Sequence, residues 1–469
     1  NEFGVRIGSA CLTIGTCLLT WWIGRLLAGP FAGLLSGLVM STCIWTAVGG
    51  RAATPDASLV FCTTMAGAIY VHAIQRSSVL QITRMHAIGI GLACGFAILA
   101  KGPVGIVLPM MAFALTAGVL HSKSIFTSYK SWICSVATSL RPLTILAVAT
   151  AVALPWYVLV GLRTNGEWIR DFLLVHNAGR FMAPMEGHSG SFLYYPMILA
   201  IGLFPWSIIL LAVPAHAVFL WRTNRLTSSH FRAVTFSGSW ALTWIGTFAI
   251  AGTKLPGYIW PAYPAISVIT ALYIADWLRG RTGWEKLIFR SMTSEKAADL
   301  VMNIGWLALA AVGICLTTSI PLVLQKIAPG NEWLGLLGLL PIIAAAAAFL
   351  LQRRGHAGLA IGALTTFSIL FVATLGGRVS VRIKSHQGTS TLLATLSPSA
   401  REGNWASIKT PRPSLVFYTQ KNVDKLESIS ASIEHLRTNP SAKLVVEADE
   451  LPAILPHIPA GFGILCEKP

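Results

Sequence analysis

The chain has 469 residues, of which 54% are hydrophobic and only 11% charged. Soluble domains carry about a quarter charged residues, so this composition excludes a string of soluble globular domains and indicates a mainly α-helical, polytopic membrane protein. The net charge of +17 does not read as a nucleic-acid surface, because the basic residues are dispersed over separate short segments, and no nucleic acid is expected as a partner.

Apolar runs long enough to cross about 30 Å of hydrocarbon fall at 9–28, 31–49, 57–75, 85–100, 103–120, 143–161, 196–220, 234–252, 258–278, 302–324, 333–351 and 356–376, which makes twelve spans. Assigning Lys and Arg to alternating loops places sixteen on one side (Arg25 to Arg354) and eight on the other (Arg6 to Lys326). The positive-inside rule puts the larger set in the cytoplasm. The eight cysteines show no disulfide framework and no C-x-x-C spacing.

The segments on the less basic side carry the candidate chemistry. In GGRAATPDA (49–57) Asp56 heads a span; it is either a carboxylate stabilised by the helix dipole or a site residue. In AILAKGPVGIVLP (97–109) Lys101 sits between two spans. It either snorkels outward or stands beside a turn and a helix start that together receive phosphate. The segment 161–196 contains EWIRDFLLVHNAGRF, a helix suited to lie on the membrane with His176 and Arg180 near headgroup depth. His176, Glu186 and His188 are metal-ligand types, although no H-x-x-H or H-E-x-x-H spacing accompanies them. In GTKLPGYIWPAYP (252–264) the alternatives are a proline-bounded reversal with a belt aromatic and a cation, Lys254, paired with the Tyr258 hydroxyl as donors to an anionic leaving group.

Two further stretches complete the chain. The basic segment 279–297 is either a plain loop or an interfacial helix with Trp284, Leu287 and Ile288 inward. After residue 376 the composition becomes mixed. Strands are expected at 414–420, 442–448 and 461–467, with a helix over 423–438. The domain reading is therefore a membrane-embedded part, 1–376, followed by a small extracytoplasmic α/β domain, 377–469.

The ordered run PDA, AKGPVGIVLP, PWY, HNAGRF, GH, YYP, LFPW and KLPGYIWPAYP resembles the bacterial C-type glycosyltransferases of glycosyltransferase family 39. These comprise the aminoarabinose transferases and the dolichyl-phosphate-mannose-protein mannosyltransferases. The resemblance implies a thirteen-span enzyme in the bacterial inner (cytoplasmic) membrane. Its opening NEFGVRIGSA is similar to the start of the family's second span, so one span and the first acidic loop are expected to precede it. The implied reaction moves a sugar from a polyprenyl-phosphate donor to a lipid (lipid A-like) or protein hydroxyl on the extracytoplasmic face. By motif, Lys101, Arg180, Lys254 and Tyr258 would hold the donor phosphate and Asp56 would match the family's second acidic position as a catalytic residue. His176, with Glu186 and His188, would orient a group or help bind a divalent metal ion. No other cofactor is expected. The competing class is a lipid-linked saccharide flippase or secondary transporter, which would place ionisable groups near the bilayer midplane.

Overall fold

The computed structural model describes residues 2–77, 80–121, 128–183, 190–191, 193–222, 228–327, 329–379, 389–397, 401–408, 413–447 and 450–465. The chain divides into two compact units, Asn1–Pro321 with Trp333–Thr374 and Leu322–Glu332 with Leu375–Pro469.

The helices run α1 (Glu2–Ala28), α2 (Pro30–Thr42), α3 (Ile44–Gly49), α4 (Asp56–Arg76), α5 (Arg84–Lys101), α6 (Val104–Leu120), α7 (Tyr129–Leu140) and α8 (Pro142–Arg163). After α8 come α9 (Glu167–Arg170), a wide-turn π-helical stretch Asp171–Gly179, α10 (Arg180–Met182), α11 (Tyr194–Gly202), α12 (Ala212–Arg222) and α13 (Ser228–Ile250). A 3₁₀ turn Pro256–Ala262 leads into α14 (Tyr263–Leu278), then α15 (Glu285–Ile288), α16 (Ser294–Ile327), α17 (Leu339–Arg353) and α18 (Ala357–Thr374). Among the described residues nine helical stretches are long and apolar enough to cross a membrane, and α2 and α6 are shorter apolar helices. The chain is a polytopic, mainly α-helical membrane protein.

Each expected span is helical, with breaks in two: 31–49 divides into α2 and α3 where Cys43 is extended. The run 196–220 divides into α11, a turn at Trp206–Ile209 and α12, because Pro205 has no amide hydrogen to continue a helical ladder. The segment before α8 holds a helix rather than a plain loop. α7 ends where Arg141 adopts a left-handed conformation, φ 46 and ψ 52, and Pro142 follows, which disfavours α geometry at the residue before it. In 279–297 the helical residues are α15 and the first turn of α16, with Trp284 buried but Ile288 exposed.

Polar residues inside spans are accommodated locally. Thr16, Thr20, Ser36, Thr63 and Thr116 each donate to the carbonyl four residues back at 2.7–2.9 Å, which satisfies hydroxyls where no water competes. Small residues permit close helix contact. A Cβ at Gly91 would lie 2.7 Å from Val148 Cβ, and one at Gly95 would lie 2.6 Å from Val152 Cβ, so α5 and α8 meet along a Gly-x-x-x-Gly stripe. α14 is surrounded by protein, with every residue from Tyr263 to Trp277 buried except Ile269, which is half-buried.

Asp276, in the last turn of α14, is 1% exposed and faces His216 Nε2 at 3.1 Å and His230 Nε2 at 3.4 Å. Glu285 is also buried, and burial pushes its carboxyl up from the usual carboxylate range. Asp276→Ala takes the acceptor from a buried imidazole, a loss of about 1–3 kcal/mol. The thermal midpoint in detergent is expected to fall accordingly, whereas an unchanged midpoint would show that the cluster contributes nothing to the fold.

The second unit contains a three-stranded parallel sheet, order β2-β1-β3, from β1 (Trp405–Ile408), β2 (Val423–Leu426) and β3 (Lys443–Val445). Trp405 is in register with both Val423 and Lys443. Leu393, Leu396, Trp405 and Leu415 form its core, with Tyr418, Val423 and Val445 against it. The expected strand 414–420 is instead a helix, Pro413–Thr419. Parallel neighbours need a crossover, and the three-residue spacing of Leu415 and Tyr418 places both on one helical face. The expected helix 423–438 starts as β2. Its helical part, Ile429–Thr438, begins after Ser428, whose hydroxyl accepts from Ala431 N. The strand at 442–448 is confined to β3, and residues 461–465 form no strand.

Candidate functional site

Three candidate residues come together where α4 begins and α5 ends. Asp56 is the first residue of α4, after Pro55, where the helix dipole favours a carboxylate. Lys101 is the last residue of α5, and its ammonium donates to Asp56 Oδ1. Both side chains remain partly open, at 28% and 24% exposure. Gly102 follows with φ +76, and a Cβ there would lie 2.8 Å from the Phe172 ring. Only glycine suits that turn, which fixes the direction in which Lys101 leaves its helix. Lys101 Nζ also lies 5.1 Å from the centroid of the Tyr258 ring, a cation–π separation.

Tyr258 stands on the turn Pro256–Ala262. A Cβ on its neighbour Gly257 would be 3.3 Å from Asp56 Oδ2, so this turn passes directly over the carboxylate. The Tyr258 ring stacks near Phe248, centroids 4.7 Å apart.

Lys254 belongs to the same loop and is 7% exposed. Its ammonium donates to Ala249 O at 2.7 Å and Ala251 O at 3.1 Å. It therefore caps the carbonyl end of α13, where a cation is favoured. It also lies 5.7 Å from the Tyr195 ring, and the Tyr195 hydroxyl donates to Leu255 O at 3.4 Å.

Arg180 is half-buried at the start of α10. Its carbonyl accepts from Thr253 N at 3.0 Å, and Phe181 O accepts from Gly252 N at 2.8 Å. The outer helical segment and the Lys254 loop are thus joined backbone to backbone. Three cations and one carboxylate share this end of the bundle, an arrangement suited to an anion with oxygen acceptors.

His176 is exposed on the Asp171–Gly179 stretch, while Glu186 and His188 lie outside the described residues. Among the described residues no group of three His, Cys, Asp or Glu side chains is placed to hold a metal ion. Sequence reasoning missed Tyr195, Thr253 and Gly257. All three lie within the segments singled out above, but only the fold shows what each touches.

The profile of the family described as dolichyl-phosphate-mannose-protein mannosyltransferase matches residues 1–147. An Edwardsiella ictaluri protein named undecaprenyl phosphate-alpha-4-amino-4-deoxy-L-arabinose arabinosyl transferase is 29% identical over 309 residues, covering 66% of this chain and 51% of the relative. The Pectobacterium carotovorum protein of the same name is 25% identical over 345 residues, 67% of this chain and 58% of the relative. The crystal structure of ArnT from Cupriavidus metallidurans bound to undecaprenyl phosphate superposes with a TM-score of 0.70 at 20% identity, covering 100% of this chain and 82% of that one. The chain is similar in sequence to these arabinosyl transferases and shares the fold of ArnT. It spans about half the length of the curated relatives it matches first. The apo ArnT structure superposes with a TM-score of 0.63 at 21% identity, over 97% of this chain and 80% of that one, so the shared fold extends across both units.

Proposed function

We propose that this chain is the phosphate-binding membrane part of a glycosyltransferase. The enzyme would move a sugar from a polyprenyl-phosphate donor to a lipid or protein hydroxyl at the extracytoplasmic face of the bacterial inner membrane. The observation that carries the reading is the Lys101 ammonium held between Asp56 and Tyr258 at a helix end, with the loop bearing Lys254 bonded to the backbone of Arg180. The transferase names of the relatives favour this reading over a flippase or transporter, and the sixteen-to-eight division of basic residues supports the outer face.

As the sugar–phosphate bond breaks, negative charge grows on the departing phosphate. Lys101 and Arg180 would oppose it from fixed positions, and the Tyr258 hydroxyl would donate to it. Asp56 holds Lys101 in place before the donor arrives and shares it afterwards. Lys254 remains on its helix carbonyls and adds positive potential behind the site. Direct displacement would invert the anomeric centre, and the acceptor hydroxyl would lose its proton to a general base.

The test is binding of undecaprenyl phosphate to the purified chain in detergent, followed by native mass spectrometry. Arg180→Ala is expected to weaken binding about tenfold to a hundredfold, matching about 1.5–3 kcal/mol for a charge-assisted hydrogen bond. Arg180→Lys is expected to recover part of that, because the charge returns without the planar fork. Binding unchanged in Arg180→Ala would remove Arg180 from the site.

A further inference from the structure

A guanidinium can grip a phosphate only if its backbone is held still, and α10 provides little support of its own. It is three residues long, Arg180–Met182, too short for an internal ladder of i→i−4 bonds. Beyond the helical bonds it shares with the stretch before it, such as Ala183 N to Gly179 O at 2.9 Å, it is held by a segment about seventy positions later in the chain. Gly252 N donates to Phe181 O at 2.8 Å and Thr253 N donates to Arg180 O at 3.0 Å. The Thr253 hydroxyl then donates to Ala183 O at 3.0 Å. Together these three bonds engage residues 180, 181 and 183.

The contact is also close. A Cβ on Gly252 would lie 2.7 Å from the carbonyl carbon of Ala183 and 2.9 Å from its Cα and N, so the two backbones touch with no room for a side chain. Thr253 is 1% exposed. Its hydroxyl bond is therefore shielded from water, which would otherwise replace a lost donor.

We propose that Thr253 is a positioning residue for a lipid-linked phosphate, acting through Arg180. Its amide and hydroxyl clamp the chain at the Arg180 carbonyl and again three residues later at Ala183, and bind the Arg180 segment to the Lys254 loop as one unit. Because Lys254 is the next residue and itself caps α13, the clamp sets Arg180 relative to the end of a membrane helix. This inference rests on the phosphate-binding reading above. Valine matches threonine in shape but has no donor, so the hydroxyl can be separated from the methyl.

The experiment measures undecaprenyl phosphate binding by the purified chain for Thr253→Val, Thr253→Ser, Arg180→Ala and the Arg180→Ala/Thr253→Val double variant, with the thermal midpoint recorded for each. Thr253→Val is expected to bind about tenfold more weakly, the scale of losing one buried hydrogen bond. Thr253→Ser is expected to return binding to within about threefold of the native chain, since it keeps the donor. In the Arg180→Ala background Thr253→Val is expected to add nothing, because the two act in series.

The proposal is overturned if Thr253→Val binds like the native chain, if serine is as poor as valine, or if the valine effect persists in full without Arg180. Should Thr253→Val not fold, Gly252→Ala makes the same test by pressing on the Ala183 backbone while leaving the hydroxyl in place. It is expected to weaken binding, and native binding would overturn the proposal. An Arg180→Ala variant that binds normally defeats the phosphate reading itself, whereas weak Arg180→Ala binding beside native Thr253→Val binding defeats only the clamp.

Discussion

On the proposed transferase reading, Lys101→Ala is expected to lower sugar transfer about a hundredfold to a thousandfold, the range seen when one preorganised donor to a developing oxyanion is removed. Two effects combine. The ammonium no longer opposes the phosphate charge, and Asp56 is left without the cation it holds, so an exposed carboxylate then repels the donor. The second effect can be isolated with Lys101→Ala/Asp56→Asn, which is expected to bind undecaprenyl phosphate more tightly than Lys101→Ala alone. If the double variant binds no better, the carboxylate does not face the phosphate. If Lys101→Ala transfers sugar at the native rate, Lys101 is a structural lysine and the site lies elsewhere.

Gly95→Leu is expected to damage the packing of α5 against α8 severely. Even a lone Cβ at this position meets Val152 Cβ at 2.6 Å and Ala149 O at 3.1 Å. Overfilling a packed interface costs about 1–3 kcal/mol and sometimes more. The damage is expected to extend to ligand binding, because Lys101 ends the same helix less than two turns away. Size-exclusion profile and thermal midpoint in detergent check the first part, and undecaprenyl phosphate binding by whatever fraction stays folded checks the second. Gly95→Ala, with a smaller clash, should lie between the two. A Gly95→Leu variant with the native midpoint would show that α5 and α8 can separate without loss.

The sequence disclosed most of the membrane architecture because lipid imposes a simple rule: a spanning helix must be long and apolar. Where that rule is silent, the reading failed. The break in 196–220 depends on Pro205 inside an otherwise apolar run, and hydropathy does not register a missing amide hydrogen. In the second unit SLVFYTQ is rich in strand-forming residues, yet it is helical because the parallel pair β1 and β2 needs a crossover. Tertiary demand overrides local propensity there. The candidate residues were legible as types in loops: Asp56, Lys101 and Tyr258 were named before their contacts were known. What the sequence could not disclose was the different use of each cation. Lys101 is held by a carboxylate and a ring, while Lys254 is spent on helix carbonyls. No spacing rule separates the two, since both are lysines followed within two residues by a turn proline.

The burial of α14 on all sides has a consequence for biogenesis. Its residues are nearly all apolar, so the segment is at ease in lipid when it first enters the bilayer, and hydrophobicity alone gives it no reason to leave. The gain on assembly comes from shape, as α1, α2, α12 and α13 close around it, and from the pairing of Asp276 with His216 and His230. A newly made chain would therefore hold α14 as a lipid-facing helix until its partners arrive, and the correctness of the finished bundle would depend on side-chain volume at that one helix. The residues that begin it, just after the turn that carries Tyr258, would take their final places only at that late stage of assembly.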